Sequence, residues 1–235
     1  GYEDLPGFHD GDIFENNDPH YGGIHAPDFD TAMPIFHEGR LIAWASCVTH
    51  VSDSGSVTPG SVGFLNPDCY SDGVPISMEK VGENDAYYPW YDMRIRSRTR
   101  TPDFVLGDAK GRLAGCITMR ERLMDVIDKY GIDFYLDATH EFVEDSRRYA
   151  VGRVKTQTVP GRMRKSQFKD LAMKDKNVIL GKQDVDCLMA LPMELEIDAD
   201  ADIRFSLRGV SGTVPFGENI HPTALKSGLL NGYSH

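Results

Sequence analysis

No run in this chain approaches the roughly 18 apolar residues that a membrane-crossing helix needs, and the first thirty residues lack a basic start followed by an apolar stretch. A membrane or secretory role has no support here. Cysteine is scarce: Cys47, Cys69, Cys116 and Cys187 lie far apart without a C-x-x-C pair, which excludes a zinc ribbon and a dense disulfide framework. Reduced thiols in a cytoplasmic protein are the simplest account. Positive charge is also short, since 25 Lys and Arg against 36 Asp and Glu leave a net charge of −11. That balance opposes nonspecific binding to nucleic acid or anionic lipid. Neither G-x-x-x-x-G-K-[S/T] nor G-x-G-x-x-G occurs, so no familiar phosphate cradle is present. The chain opens without Met, and Thr223 to His235 reads as a helix just begun. The expectation is a fragment of a longer subunit, with a processed chain that folds alone as the alternative.

What is there is enough, at 235 residues, to bury a substantial core. From Asp12 to Val51 the pattern is strand-like, with His37-Glu38-Gly39-Arg40 as a hairpin turn between two apolar runs. Residues 52 to 78 are rich in Ser, Gly, Pro and Asp and form a long irregular loop, of a kind that can cover a site. Thr101-Pro102-Asp103 begins a helix, and Leu113, Ile117, Leu123, Met124, Ile127 and Tyr130 give it an apolar stripe up to Gly131. A second helix runs from Asp133 to about Thr156. Further on, Met193 to Ile197 and Ile203 to Leu207 flank the acidic turn Asp198 to Asp202 as a β-hairpin. The fold class is α+β: a β-rich metal-binding region with a long loop over 1–100, an antiparallel helical hairpin over 101–159, and a basic linker with a β-hairpin over 160–235.

Asn17-Asp18-Pro19-His20-Tyr21-Gly22-Gly23-Ile24-His25-Ala26-Pro27-Asp28 packs two imidazoles and two carboxylates into a loop stiffened by prolines and loosened by glycines. Residues three apart in a strand face opposite sides, so His25 and Asp28 share an ion only across a bend, which Pro27 and Gly22-Gly23 favour. His50 ends the second strand of the following hairpin, and the return of that strand brings it beside the loop. Two imidazoles and a carboxylate suit Mn²⁺, Zn²⁺ or Fe²⁺ more than an all-oxygen Mg²⁺ or Ca²⁺ site. Asp53 repeats the His-x-x-Asp spacing as a fourth ligand or as an acceptor for a ligating ring, and His20 and His37 are alternative ligands. Asp53 and His20 are also the catalytic candidates. His-x-x-Asp by itself is a weak signal, since surface histidines and acids are more often solvated than metal-bound. Cys47, three before His50 in an extended segment, reads as a small buried hydrophobe.

At Asn17-Asp18-Pro19, Gly22-Gly23-x-His25-x-Pro27-Asp28, His50-x-x-Asp53-x-Gly55 and Thr58-Pro59-Gly60-Ser61 the chain resembles the hydantoinase B/oxoprolinase family. The likeness continues through Arg100-Thr101-Pro102, Gly107-Asp108 and the long helix to Tyr130-Gly131, and more weakly into the hairpin after residue 190. Tyr87-Tyr88-Pro89-Trp90-Tyr91 and Pro27-Asp28-Phe29-Asp30 resemble the acetone carboxylase branch. What this resemblance implies is a manganese-bearing part of an ATP-dependent ligase that joins a small ketone to bicarbonate. His25, Asp28 and His50 would be the metal ligands, ATP would bind on a partner subunit, and the assembly would be a hetero-oligomer. The resemblance equally admits a hydantoinase or oxoprolinase type of ring hydrolase, and a scaffold fragment without activity is the third reading. Ser54, Ser56 and Gly111-Arg112 depart from the family's usual residues; at the last pair relatives often carry Ala-Gln.

Three further features stay open. Arg94-x-Arg96-x-Arg98-x-Arg100 is a candidate for meeting phosphate or bicarbonate, or else a solvated or subunit-facing stripe. The basic cluster Arg162 to Lys169 fits a partner-subunit contact more closely than nucleic acid. Tyr87 to Tyr91 either walls an apolar pocket or belongs to the core.

Overall fold

The computed structural model describes residues 7–60, 63, 66, 68–170 and 188–212, with 222, 225, 226, 228 and 229 beyond them. The chain divides into two compact units, one carrying the residues up to Met124 and the other beginning at Asp125. The first holds β1 (Ile13–Asn16), β2 (Asp28–His37), β3 (Arg40–His50), β4 (Glu79–Glu83), β5 (Ala86–Tyr87), α1 (Pro89–Arg98) and most of α2 (Pro102–Tyr130). Its strands form one antiparallel sheet in the order β3-β2-β1-β4-β5. Among the described residues no helix is long and apolar enough to cross a membrane.

The long β2–β3 hairpin turns at Glu38 and Gly39, both with positive φ (49° and 79°), the twist that suits a two-residue connection. From there the ladder runs from His37↔Arg40 back to Asp28↔His50. The two ends of β2 are thus about 30 Å apart at the usual rise per residue. Asn84 and Asp85 make the equivalent positive-φ turn between β4 and β5.

One sheet face is covered by α1 and α2. Ile13, Phe29, Met33, Ile35, Ala45, Val51, Ile76 and Val81 meet Tyr91 and Ile95 of α1 and Val105, Ala109 and Cys116 of α2 in a single core. Each large aliphatic or aromatic side chain buried this way stabilises the fold by about 1.5–3 kcal/mol. On α2 the fully buried positions are Val105, Ala109, Arg112 and Cys116, which recur at helical spacing, so a guanidinium sits in the middle of the apolar stripe. Arg112 forms an ion pair with Glu15 of β1, and neither side chain reaches solvent. It also donates from Nε to Thr31 Oγ1 at 2.9 Å and from Nη1 to Thr49 Oγ1 at 2.6 Å, and lies 5.5 Å from the centroid of the Phe29 ring. A buried charge is tolerable only when paired and hydrogen-bonded in this manner.

Tyr87 and Tyr91 stack with centroids 4.6 Å apart, Tyr91 inside the core and the Tyr87 hydroxyl donating to the Ala109 carbonyl at 3.0 Å. The aromatic segment is therefore core at these two positions. Because residues 89–98 are helical, the alternating arginines make no continuous stripe. Arg94 pairs with Glu79, Arg96 with Asp92 and Asp103, and Arg100 with Asp53. Each of the three thus faces a carboxylate of this chain.

The second unit holds α3 (Ile132–Gln157) and an antiparallel sheet in the order β6-β7-β8, formed by Gly161–Asp170, Leu188–Ile197 and Ile203–Ser206. Both long helices are present and meet at Gly131, whose φ is 87°. α3 buries none of its residues, and Phe142, Val143 and Tyr149 stand exposed. The stretch read as a basic linker is in part the strand β6. Its Arg162 and Arg164 both pair across the ladder with Glu194 of β7, which explains how so polar a segment is held in a sheet.

Candidate metal centre

The bend between His25 and Asp28 is a turn closed by the Asp28 amide donating to the His25 carbonyl at 2.9 Å. It brings together two side chains that an extended segment would send apart. Asp28 then begins β2 and is the cross-strand partner of His50, the last residue of β3. The Val51 amide donates to the Pro27 carbonyl at 2.9 Å and ties the end of β3 to the same turn. As a result His50 Nδ1 lies 3.0 Å from Asp28 Oδ1, and His25 Nε2 lies 3.4 Å from Asp28 Oδ2. The two imidazole rings stand edge to face with centroids 4.9 Å apart. One ligand atom from each of the three residues falls within 4.8 Å of the others.

Donors bound about 2.0–2.3 Å from one ion stand roughly 3.0–3.7 Å from each other, a range that includes both carboxylate–imidazole separations, each to its own oxygen of Asp28. Asp28 is mostly covered while both rings are close to half exposed, which leaves one side of the trio open to solution. Two nitrogens and one oxygen match the preference of Mn²⁺, Fe²⁺ or Zn²⁺, and an open side suits a site that takes up substrate.

The other candidates stand elsewhere. Asp53 is buried and its carboxylate is occupied by Arg100, through the backbone amide at 2.5 Å and Nη1 at 3.0 Å. It anchors the start of the long loop to Arg100, two residues before α2, rather than orienting a histidine ring. His20 is exposed and interacts through Nδ1 with Asp18 Oδ1 at 3.0 Å, outside the trio. His37 lies at the far end of the hairpin, opposite Arg40. Cys47 is a free, half-buried thiol packed against the core, in keeping with its reading as a small hydrophobe.

Two neighbours were not singled out from the sequence. Asp72 ends a short turn of the long loop, and its Oδ1 accepts from Asn66 Nδ2 at 2.8 Å. Burial holds its carboxyl above the ordinary range against the Asn66 hydrogen bond; Asp68 raises it further, and the charge of His25 draws it back. Asn17 is buried and links the ligand loop to residues 74–76. A Ser-, Gly- and Asp-rich loop offers no periodicity from which either contact follows; the only hint was Asn17 within the loop motif.

The hydantoinase B/oxoprolinase family model matches residues 2–235. The acetone carboxylase alpha subunit of Xanthobacter autotrophicus is 35% identical over 230 residues, covering 97% of this chain and 30% of that protein. The B component of a putative D-/L-hydantoinase from a Pseudomonas species is 30% identical over 142 residues, 60% of this chain and 24% of that protein. The solved nucleotide-free structure of an acetone carboxylase superposes with a TM-score of 0.93 at 35% identity, over 98% of this chain and 30% of that one. An ATP-dependent caprolactamase from Pseudomonas jessenii shares the fold at 20% identity, with a TM-score of 0.82 over 99% of this chain and 38% of that one. The chain thus spans under a third of the length of the carboxylase and hydantoinase relatives it matches. It belongs to the hydantoinase B/oxoprolinase family.

Proposed function

We propose that this chain is the metal-bearing part of an ATP-dependent ketone carboxylase of the acetone carboxylase kind, with His25, Asp28 and His50 holding a divalent ion. Manganese is the first candidate, Zn²⁺ and Fe²⁺ the alternatives. The observation that carries the reading is the convergence of these three side chains within 4.8 Å, in a chain 35% identical to an acetone carboxylase alpha subunit over 97% of its length. ATP would bind on a partner subunit, and a small ketone and bicarbonate would be the substrates of a cytoplasmic hetero-oligomer.

A divalent ion there would polarise substrate oxygens and stabilise enolate charge during carboxyl transfer. The chain's own contribution is positional. Asp28 draws both rings to one point, with one carboxylate oxygen toward each. The ladder pair Asp28↔His50 holds two of them on a sheet end, and the hydrogen-bonded turn at His25 brings the third beside it. Sites carried by regular elements hold their geometry better than sites on loops.

Metal analysis of the purified chain tests the reading. About one equivalent of metal is expected, with the loss of most of it in His25→Ala and His50→Ala; equal content in all three would overturn it. Anomalous scattering at the Mn and Zn edges identifies the ion. The second reading, a ring hydrolase, is favoured by the likeness to the putative D-/L-hydantoinase. With partner subunits supplied, bicarbonate-dependent turnover of acetone supports the carboxylase, and water-dependent opening of a cyclic amide supports the hydrolase. A scaffold without activity would show neither.

A further inference from the structure

We propose that Asn17 is a positioning residue that holds the ligand turn in shape by splinting it to the end of the long loop. The inference rests on the metal reading above and adds to it the device that keeps the turn in place. Asn17 is buried, and every polar atom of its side chain is used. Its Nδ2 donates to the carbonyl of Ala26, the residue after His25, at 2.8 Å. The same nitrogen donates to the Val74 carbonyl at 2.9 Å, and Oδ1 accepts from the Ile76 amide at 2.7 Å. The Asn17 amide in turn donates to the Ile76 carbonyl at 2.9 Å.

One carboxamide therefore joins the middle of the His25–Asp28 turn to residues 74 and 76, which lie 57 and 59 positions from Asn17 in sequence. No other residue type does the same at this place. Two donors and an acceptor on one short planar group are what these three backbone atoms require; Asp lacks the donors, and Ser lacks the reach. The neighbouring contacts close the loop without touching the turn. Ser77 donates to Asp18 Oδ2 at 2.6 Å, and a Cβ on Gly23 would come within 2.9 Å of the Asn17 carbonyl carbon. The Asn17 link reaches Ala26, which adjoins the proposed ligand His25. Partners that hydrogen-bond a ligand directly alter metal affinity about 10-fold to 100-fold when removed, and Asn17 acts one step further out, on the backbone beside His25.

Mn²⁺ titration of the chain and of Asn17→Asp and Ser77→Ala separates positioning from general support, with the metal-free stability of each read by thermal melting in chelator. The expected result is affinity weakened about 10-fold, the lower end of that range, in Asn17→Asp and unchanged within about twofold in Ser77→Ala. Unchanged affinity in Asn17→Asp, or an equal loss in both variants, would overturn the proposal while leaving the metal site standing. A wild-type chain that takes up no divalent metal would remove the metal reading itself, and the inference with it. Should Asn17→Asp not fold, amide exchange of the wild type decides. Mn²⁺ is expected to slow exchange at Ile76, whose amide Asn17 holds, along with Asp28, whose amide closes the turn. Slowing at Asp28 without slowing at Ile76 would show that the splint transmits nothing.

Discussion

Arg112 meets Glu15 directly behind the ligand end of the hairpin. The guanidinium holds Thr49, which precedes His50, and faces the ring of Phe29, which follows Asp28. The sheet thus carries two of the three proposed ligands on the residue pair Asp28↔His50, and a fully buried ion pair lies against the next pair, Phe29↔Thr49. Burial pushes the Glu15 carboxyl up, and the Arg112 charge and the Tyr91 hydroxyl draw it back, so its charge depends on these partners.

Arg112→Ala is accordingly expected to cost about 3–5 kcal/mol in urea unfolding, because a carboxylate remains buried without its counter-charge. Replacing both partners, as Glu15→Gln with Arg112→Gln, should recover much of that loss, since two neutral amides replace the stranded charge. A double variant no more stable than Arg112→Ala would show that packing of the guanidinium, not its charge, holds this place.

Metal should stabilise the fold. Saturation at 100 times the dissociation constant adds about 2.7 kcal/mol if only the folded chain binds, and the melting temperature should rise with it. In Asp28→Asn that increment is expected to vanish. Identical metal-induced shifts in wild type and Asp28→Asn would place the ion elsewhere.

Thiol chemistry should separate the cysteines. Burial pushes the Cys116 thiol up to about 12, and its Sγ donates to the Thr31 carbonyl at 3.3 Å, whereas Cys69 is exposed. Iodoacetamide at pH 8 should label Cys69 and spare Cys116, read by peptide mass mapping. The same shift fixes a pH dependence. Between an ordinary thiol value of 9.0 and about 12, the unfolded chain loses this proton and the folded chain keeps it. Stability therefore falls with rising pH in that window, by at most about 1.4 kcal/mol per pH unit for one such group. The buried phenols of Tyr87 and Tyr91, both shifted upward by burial, act in the same direction. A urea midpoint that stays flat from pH 9 to 11 would contradict it.

Glycines of the long loop should differ sharply from the one at the hairpin tip. Gly55 has φ +80°, and a Cβ there would lie 2.2 Å from the Arg98 carbonyl oxygen; Gly39 has φ +79° with nothing within 4 Å. Gly39→Ala is expected to cost about 1–2 kcal/mol from its backbone conformation alone. Gly55→Ala should exceed that clearly in the same urea unfolding, because fixed backbone must move as well. Equal costs would mean that the loop yields freely at that point.

Much of the first unit was legible in the residues themselves. Alternation and a Glu38-Gly39 turn gave the β2–β3 hairpin, and Thr101-Pro102-Asp103 gave the start of α2, because local chemistry determines both. Spacing signalled the convergence of His25, Asp28 and His50 only weakly and the family resemblance carried it; a turn and a ladder register then account for it in the structure. β4, β5, α1 and β6 were not read as elements. Gly82 and the charges of β4, the aromatic start of α1, and Arg162 and Arg164 of β6 carry no clean period, and their order is settled by tertiary partners. Arg112 was the instructive miss: a charge at the centre of a buried stripe looks like a surface residue until Glu15, nearly a hundred positions away, is placed opposite it.

The paired strands also act as a ruler. Because side chains alternate along a strand, losing one residue anywhere within β3 would turn His50 to the opposite side of the sheet, even if the loss fell near Arg40, about 30 Å from the ligands. Removing one residue from each strand at facing positions would keep the alignment. The spacing of the whole hairpin, and not only its three chelating side chains, is thereby under constraint, and length changes near its distant tip would be felt at the opposite end.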